Sequence, residues 1–421
     1  MEKYLLKNLS SQGKNDEIIR LWNDNIDHSD YNEWDYLYTM NSFYKAGKYS
    51  ECINVFKACE SSKKDTKMLR DKMGWSLYHT KLKGFNKDSS DAEEFITAVD
   101  YILEICPDVT TYSPRWRAIS SVVSAIENNA IEEERDSELI EKYLNKVSVK
   151  ELSDTENNYN NRKLPSERET WYSHMTKALL ELNKYSECIS CCDEALNSLD
   201  KFHSNNDVWF KYRKARSLRM IGKPDQGMEI IDGIREKKHW CLYDYLFENA
   251  AECGDNAAAN INAAKCAIFD DEHKMRVRFY QRYAGFLENN GNTEEAMLLR
   301  KLILLIYDEE GWNVKSSFKE WPISDKIANM EKPAILQRLN AFWKKYADND
   351  KISGTVSNIL KEGQSGFIKG ADGKDYYFNA KNFKGSRSLL QKGLAVKFVP
   401  VEKWDNSKNR MGMAAIEIVR S

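Results

Sequence analysis

The hexapeptide Lys48-Tyr49-Ser50-Glu51-Cys52-Ile53 occurs a second time in this chain, as Lys184-Tyr185-Ser186-Glu187-Cys188-Ile189. The two copies start 136 residues apart, at positions 48 and 184, and this offset is four times a period of about 34 residues. A fixed period of this length is typical of proteins built from stacked helical units, in which each unit buries its apolar face against its neighbours. The duplicated stretch therefore predicts a mainly α fold made of helical repeats.

The residues around both hexapeptides share one pattern of large and small side chains. Counted from Glu33, large side chains stand at positions 4, 11, 17 and 24, and the small Cys52 stands at position 20. The same count from Glu169 places Cys188 at position 20, and three further copies follow it. In the first two copies, positions 4, 11, 17 and 24 are held by Tyr36, Phe43, Tyr49, Phe56, Tyr172, Leu179, Tyr185 and Cys192.

Each copy also has a Gly or Asn where its first helix should end, and these residues adopt the left-handed backbone that closes a helix. They are Gly47, Asn183, Gly222, Gly254 and Gly291. The whole pattern resembles the tetratricopeptide repeat over roughly residues 30–310. The stretch 61–168 is less regular, but two degenerate repeats would fill it and keep the register, with helices expected at Ala98–Ile105 and Trp116–Ile126.

The resemblance implies a solenoid whose concave surface binds a peptide or a protein. In this family, positions 2, 5, 9 and 12 of each first helix line that surface. In the third and fifth copies these positions include Trp209, Tyr212, Arg216, Arg219 and Arg278. We interpret these residues as candidate partner-binding residues; the alternative is that the arginines are only solvated.

Beyond residue 331, the pattern of apolar and polar residues differs from that of the repeats. A helix is expected to begin at Lys332-Pro333-Ala334, since proline fits the first turn, and to end before Asp348. From Ile352 onward, short alternating apolar segments are separated by glycine turns, which predicts five short strands. Residues 351–421 contain 13 Lys and Arg against 6 Asp and Glu, whereas residues 1–350 have an acidic balance. We therefore expect helical repeats over 1–312, a connecting helical segment over 313–350, and a basic β-barrel over 351–421.

The order of residues in this barrel resembles the cold-shock domain, a five-stranded OB-type barrel. The segments that carry the resemblance are Gly354-Thr355-Val356, Ser365-Gly366-Phe367-Ile368, Asp375-Tyr376-Tyr377-Phe378-Asn379, and the closing strands around Val396 and Ile416. Cold-shock domains stack the bases of single-stranded nucleic acid on rings of the two motif strands.

The resemblance assigns the binding of RNA or single-stranded DNA to particular positions of this sequence. Phe367 and Tyr377 keep stacking rings, and Asn379 stands at the position of the family's histidine. Asn358, Ser365 and Ala380 stand where the family has aromatic residues. With so few rings, phosphate contacts from lysines would have to contribute. The candidate nucleic-acid-binding residues are Phe367, Tyr377, Asn379, Ser365, Lys361, Lys369 and Lys381.

Catalytic and metal-binding patterns are missing from the sequence. The run Cys188-x-x-Cys191-Cys192 falls at helix-packing positions, no second pair of ligands follows at zinc spacing, and the six histidines are scattered. No phosphate loop, nucleophile elbow or dinucleotide motif is present. The sequence also lacks an apolar run long enough for a bilayer span. We expect no cofactor, no metal, no membrane contact, no enzyme activity and a cytoplasmic location.

Three functions fit these observations. The first is an adaptor whose repeats hold a protein partner while the barrel binds RNA or single-stranded DNA. The second is a protein-interaction scaffold whose barrel does not bind nucleic acid. The third is a regulatory subunit of a nucleic-acid-processing complex.

Overall fold

The structure is a computed structural model. It describes residues 4–24, 28–85, 91–109, 113–128, 136–159, 162–237, 239–269, 272–312, 314–360, 364–405 and 410–421. The chain forms two compact units, Met1–Ile221 and Gly222–Ser421.

The first unit consists of consecutive helices that pack against their neighbours. Its helices are α1 Leu5–Ser11, α2 Asn15–Asp24, α3 Glu33–Lys45, α4 Tyr49–Ser61, α5 Lys67–Leu77, α6 Ala92–Ile105, α7 Arg115–Glu127, α8 Ser137–Leu144, α9 Glu167–Glu181, α10 Tyr185–Ser198 and α11 Asn206–Met220. Because α3 packs on α4 and α9 on α10, the predicted helix pairs at both hexapeptides are confirmed.

The two hexapeptides make the same contacts in the two places. The Cys52 thiol donates to the Met40 carbonyl at 3.5 Å, and the Cys188 thiol donates to the Thr176 carbonyl at 3.4 Å. In both pairs the donor stands 12 residues after the acceptor. Each hexapeptide's first lysine, Lys48 or Lys184, also donates its backbone N–H to a carbonyl five residues earlier, at 2.9 Å in both cases. The small residue at position 20 thus lets the second helix lie close to the first.

In the irregular stretch between the two hexapeptides, the described residues form helices α5 to α8, of which α5 packs on α6 and α7 on α8. The expectation of helices over Ala98–Ile105 and Trp116–Ile126 is confirmed. The sequence did not indicate the π-helical turn Tyr78–Leu82 that follows α5. Nor did it indicate the short antiparallel hairpin of β1 Asn157–Tyr159 and β2 Arg162–Leu164.

The second unit starts with further helices. They are α12 Pro224–Ile234, α13 Trp240–Glu252, α14 Asn256–Ala267, α15 Val277–Asn289, α16 Thr293–Glu309, α17 Ser316–Lys319, α18 Asp325–Ala328 and α19 Lys332–Ala347. Helix α19 begins at the expected Lys-Pro, packs on α14 and α16, and fully buries Trp343.

All five predicted turn residues, the four glycines and Asn183, have positive φ angles between 59° and 79°. The prediction of left-handed helix ends is therefore confirmed.

A closed five-stranded barrel ends the chain. Its strands are β3 Ile352–Leu360, β4 Ser365–Gly370, β5 Asp375–Asn379, β6 Ala395–Asp405 and β7 Arg410–Arg420. They follow the order β3-β4-β5-β7-β6, β6 pairs back with β3, and β5 runs parallel to β7. The core is filled from alternate strand positions by Val356, Ile368, Tyr376, Phe378, Val396, Phe398 and Ile418. Strands β6 and β7 are 11 residues long each, longer than the short strands that the sequence predicts.

Candidate nucleic-acid and partner-binding surfaces

Phe367 and Tyr377 lie side by side on the outside of the barrel. They are direct partners in the β4–β5 register. Their neighbours Ile368, Tyr376 and Phe378 are buried, so the two-residue alternation of a strand turns the two rings outward. The ring centroids are 5.7 Å apart at an interplanar angle of 69°. Tyr377 is 42% exposed and Phe367 is half-buried, so the pair forms a small ring surface open to a ligand.

Gly366 is required next to this pair because the backbone of β3 passes very close to it. A Cβ at this position would lie 2.2 Å from the Asn358 carbonyl oxygen and 2.8 Å from the Phe378 ring. The glycine of the Ser-Gly-Phe segment thus allows β3 and β4 to pair at the register shift after Val356.

The polar candidates around the rings have different surroundings. Ser365 is buried, at 4% exposure. The Asn379 side chain accepts a hydrogen bond from the Lys381 backbone N–H at 3.0 Å and so caps a short 3₁₀ turn. Asn379 is half-buried and Lys381 is exposed.

The lysines also differ in their surroundings. Lys369 stands opposite Asp375 in the β4–β5 ladder, and its ammonium lies 3.4 Å from that carboxylate. The carboxylate offsets part of the positive charge beside the rings. Lys361 lies outside the described residues.

Four candidate partner-binding residues lie on α11. The Trp209 and Tyr212 rings meet edge to face at 5.8 Å, and Arg216 donates to the Tyr212 hydroxyl at 3.0 Å. Tyr212 and Arg219 are buried, at 5% and 9% exposure, whereas Trp209 and Arg216 are half-buried. The accessible part of this surface is therefore centred on Trp209 and Arg216. Arg278 is exposed on α15 of the second unit.

Arg213 is a residue of this surface that the sequence analysis missed. Its guanidinium lies 5.5 Å from the Trp209 ring centroid and donates to the Ser173 carbonyl at 3.1 Å and the Thr176 hydroxyl at 3.0 Å. It thereby ties α11 to α9. The spacing of four residues between Trp209 and Arg213, which places both on one helix face, was the signal that could have identified it.

A buried polar cluster joins the barrel to α13 and α14. The Lys265 ammonium lies 2.5 Å from an Asp350 carboxylate oxygen and 3.3 Å from a Glu417 carboxylate oxygen. The Tyr243 hydroxyl donates to the other oxygen of Glu417. Burial alone would raise the pKa of Glu417, but the Lys265 charge and the Tyr243 hydrogen bond hold that pKa below its usual value. The pKa of Tyr243 is raised by burial and by the nearby carboxylate.

Eight of the nine cysteines are buried, and Cys253 is exposed. Cys188, Cys191 and Cys192 are buried, and burial raises the pKa of the Cys52 thiol to about 11. Across the ranges that the structure describes, no group of three or more His, Cys, Asp and Glu side chains is arranged to hold a metal ion. No helix in the same ranges is both long enough and apolar enough to cross a membrane.

Comparisons with known proteins give structural neighbours only. No protein-family model and no curated protein matches the chain. The structure is similar to the C-terminal part of a TPR repeat-containing protein from Cytophaga hutchinsonii, with 14% identity, 66% of this chain and 96% of that chain covered, and a TM-score of 0.31. It is also similar to the apo form of the quorum sensor NprR from B. thuringiensis, with 10% identity, 81% and 83% covered, and a TM-score of 0.26. The chain itself shows helical repeats followed by a closed five-stranded barrel.

Proposed function

We propose that this protein is a cytoplasmic, non-enzymatic adaptor of the tetratricopeptide-repeat kind, whose C-terminal barrel is an OB-type, cold-shock-like domain that binds single-stranded RNA or DNA. The observation that carries the proposal is the outward-facing pair Phe367 and Tyr377 on adjacent strands. Rings placed in this way stack on bases of any sequence. The closed five-stranded barrel and its crossed strand order also support an OB-type assignment.

Two stacked bases contribute about 2–6 kcal/mol, and a tenfold change in affinity corresponds to about 1.4 kcal/mol. Replacing both rings, as Phe367→Ala with Tyr377→Ala in the full chain, should therefore weaken binding of a labelled oligonucleotide by at least about tenfold. Fluorescence anisotropy measures the affinity, and circular dichroism checks the fold. The matched control is Tyr377→Phe, which keeps the ring and should retain most of the affinity.

Unchanged affinity in the double variant would remove the stacking mechanism. If the unaltered protein binds neither RNA nor single-stranded DNA at low salt, the result favours the second candidate function, a scaffold that contacts only proteins. That alternative is favoured by the Lys369–Asp375 ion pair beside the rings and by Asn358, Ser365 and Ala380 at positions where cold-shock domains have aromatic residues.

For the repeats, we propose that a protein partner contacts the α11 surface of Trp209 and Arg216. Aromatic and arginine side chains are enriched at interface hot spots, where rings fill pockets and guanidinium groups pair with carboxylates. Arg216→Glu should reduce crosslinking of the full chain to that partner while leaving the helical content unchanged. Crosslinking that persists at full yield would place the partner elsewhere.

A further inference from the structure

A second cluster of partly exposed rings lies in the first unit, on α3, α4 and the π-helical turn. The Tyr49 and His79 rings are stacked, with centroids 4.4 Å apart and planes 8° from parallel. Tyr44 meets both of them edge-on, at 5.2 Å and 5.6 Å. Each of the three side chains is only half-buried, so the cluster forms part of the surface.

Lys72 of α5 places its ammonium 4.2 Å from the Tyr44 ring centroid. The side chain is half-buried, yet it forms no ion pair with any carboxylate among the described residues. Burial and the nearby Lys45 charge both lower the pKa of Lys72. Burial and Lys83 likewise lower the pKa of His79. Lys72 therefore has no carboxylate partner among the residues that the structure describes in this unit.

The geometry of the rings limits what can cover them. Tyr49 and His79 each present one face to the other, and the Lys72 ammonium covers a face of Tyr44. Base stacking needs open ring faces, and one face of each of these rings is already occupied. Ring edges offer apolar area, and a partly desolvated ammonium interacts strongly with a carboxylate.

We infer that this aromatic–lysine patch, formed by Tyr44, Tyr49, Lys72 and His79, binds a peptide segment that carries carboxylates between apolar side chains. The inference rests on the proposed binding of a protein partner by the repeats and names the chemistry of the segment bound. Tyr44 stands at position 12 of the first copy, as Arg219 does in the third. The patch therefore occupies a helix position equivalent to the candidate surface on α11.

The test uses the full chain and two fluorescein-labelled peptides. One peptide repeats Glu-Leu-Pro four times and the other repeats Gln-Leu-Pro, so the two differ only in charge. By fluorescence anisotropy at low salt, the Glu peptide should bind at least about tenfold more tightly than the Gln peptide. Lys72→Met keeps the apolar stem and removes the charge, so it should abolish most of this difference. Lys57→Met, which removes an exposed charge further along α4, should leave the difference unchanged.

Thermal unfolding distinguishes a binding residue from a structural one. Lys72→Met should not lower the melting temperature, because it removes a desolvated charge that has no acidic partner in the described structure. A lower melting temperature together with unchanged peptide affinity would overturn the inference. So would equal affinity of the unaltered protein for the two peptides.

Two further outcomes separate this inference from its alternatives. If an oligothymidine of about 15 nucleotides binds more tightly than the Glu peptide and loses affinity in Lys72→Met, the patch is a nucleic-acid site and the inference is wrong. If the Glu peptide fails to bind while Arg216→Glu still reduces crosslinking to the protein partner, the inference fails and the proposed function stands.

Discussion

Glu417 occupies the left-handed backbone region, with φ of +52°, where the register between β6 and β7 shifts. For a residue other than glycine this conformation costs about 1–2 kcal/mol. Tyr243 and Lys265 hold the carboxylate in place from two helices. Nothing in the sequence around Glu417 marks it as special, since its partners stand 174 and 152 residues earlier in the chain. By contrast, Phe367 and Tyr377 lie on two of the predicted strands, because the alternation that marks a strand is local.

Glu417 should make the stability of the second unit depend on pH. Its pKa in the folded protein lies below its ordinary value of 4.5. A carboxyl with a depressed folded-state pKa contributes stability that is fully present above its unfolded pKa and is lost as pH falls through the folded pKa. The advantage of the unaltered protein over Glu417→Gln in unfolding free energy should therefore shrink below pH 4.5. Urea unfolding at several pH values measures it. An advantage that is constant from about pH 6 to about pH 3 would contradict the assignment.

At the scale of elements, the period of the sequence was enough to predict the helix pairs and their turns. The 3.6-residue and two-residue patterns are local, so they predicted α3, α4, α9, α10, α19 and the cores of the five barrel strands. The β1–β2 hairpin was not predicted, because most of its residues are polar and its strands of three residues show no apolar alternation. The π-helical turn was not predicted, because one extra residue in a helical turn leaves no recognisable pattern in the sequence.

Two glycines of the α15–α16 pair offer a matched comparison. Gly291 has φ of +79° at the turn, whereas Gly285 lies within α15, and in neither case would a Cβ meet an atom within 4 Å. Gly291→Ala should therefore cost about 1–2 kcal/mol through backbone strain alone. Gly285→Ala should stabilise the protein by about 0.5–1 kcal/mol through better helix propensity. Chemical denaturation of both variants measures these values. Equal effects would show that the turn does not need a left-handed residue.

At the scale of the molecule, the second unit combines helices and barrel in one compact body. The contact between Lys265 and the pair Asp350 and Glu417 is buried, with Lys265 only 5% exposed. A sequence pattern cannot predict such a contact, because each partner looks like an ordinary surface charge until the fold brings them together. Residues 351–421 are basic on balance, yet one of their acidic residues, Glu417, is bound by side chains of α13 and α14.

Removing the shared ammonium should destabilise the second unit strongly. Lys265→Met leaves the buried Glu417 carboxylate and the partly exposed Asp350 carboxylate without this cation, and breaking a buried ion pair in this way costs about 3–5 kcal/mol. Adding Glu417→Gln to that variant should recover part of the loss, because one uncompensated charge is then removed. Unfolding of both variants by urea tests the coupling. Losses that simply add would show that the two side chains act independently.

The matched contacts of Cys52 and Cys188 have a consequence for how such a gene can change. Met40 and Thr176 accept from these thiols across the same 12-residue interval, and both hexapeptides start a helix after the same tight turn. A recombination that joins Lys48 directly to Tyr185 would place α10 after α3 with the turn and the thiol contact intact. A crossover between these two points would therefore remove or duplicate whole helix pairs and keep the 12-residue interval of the thiol contact.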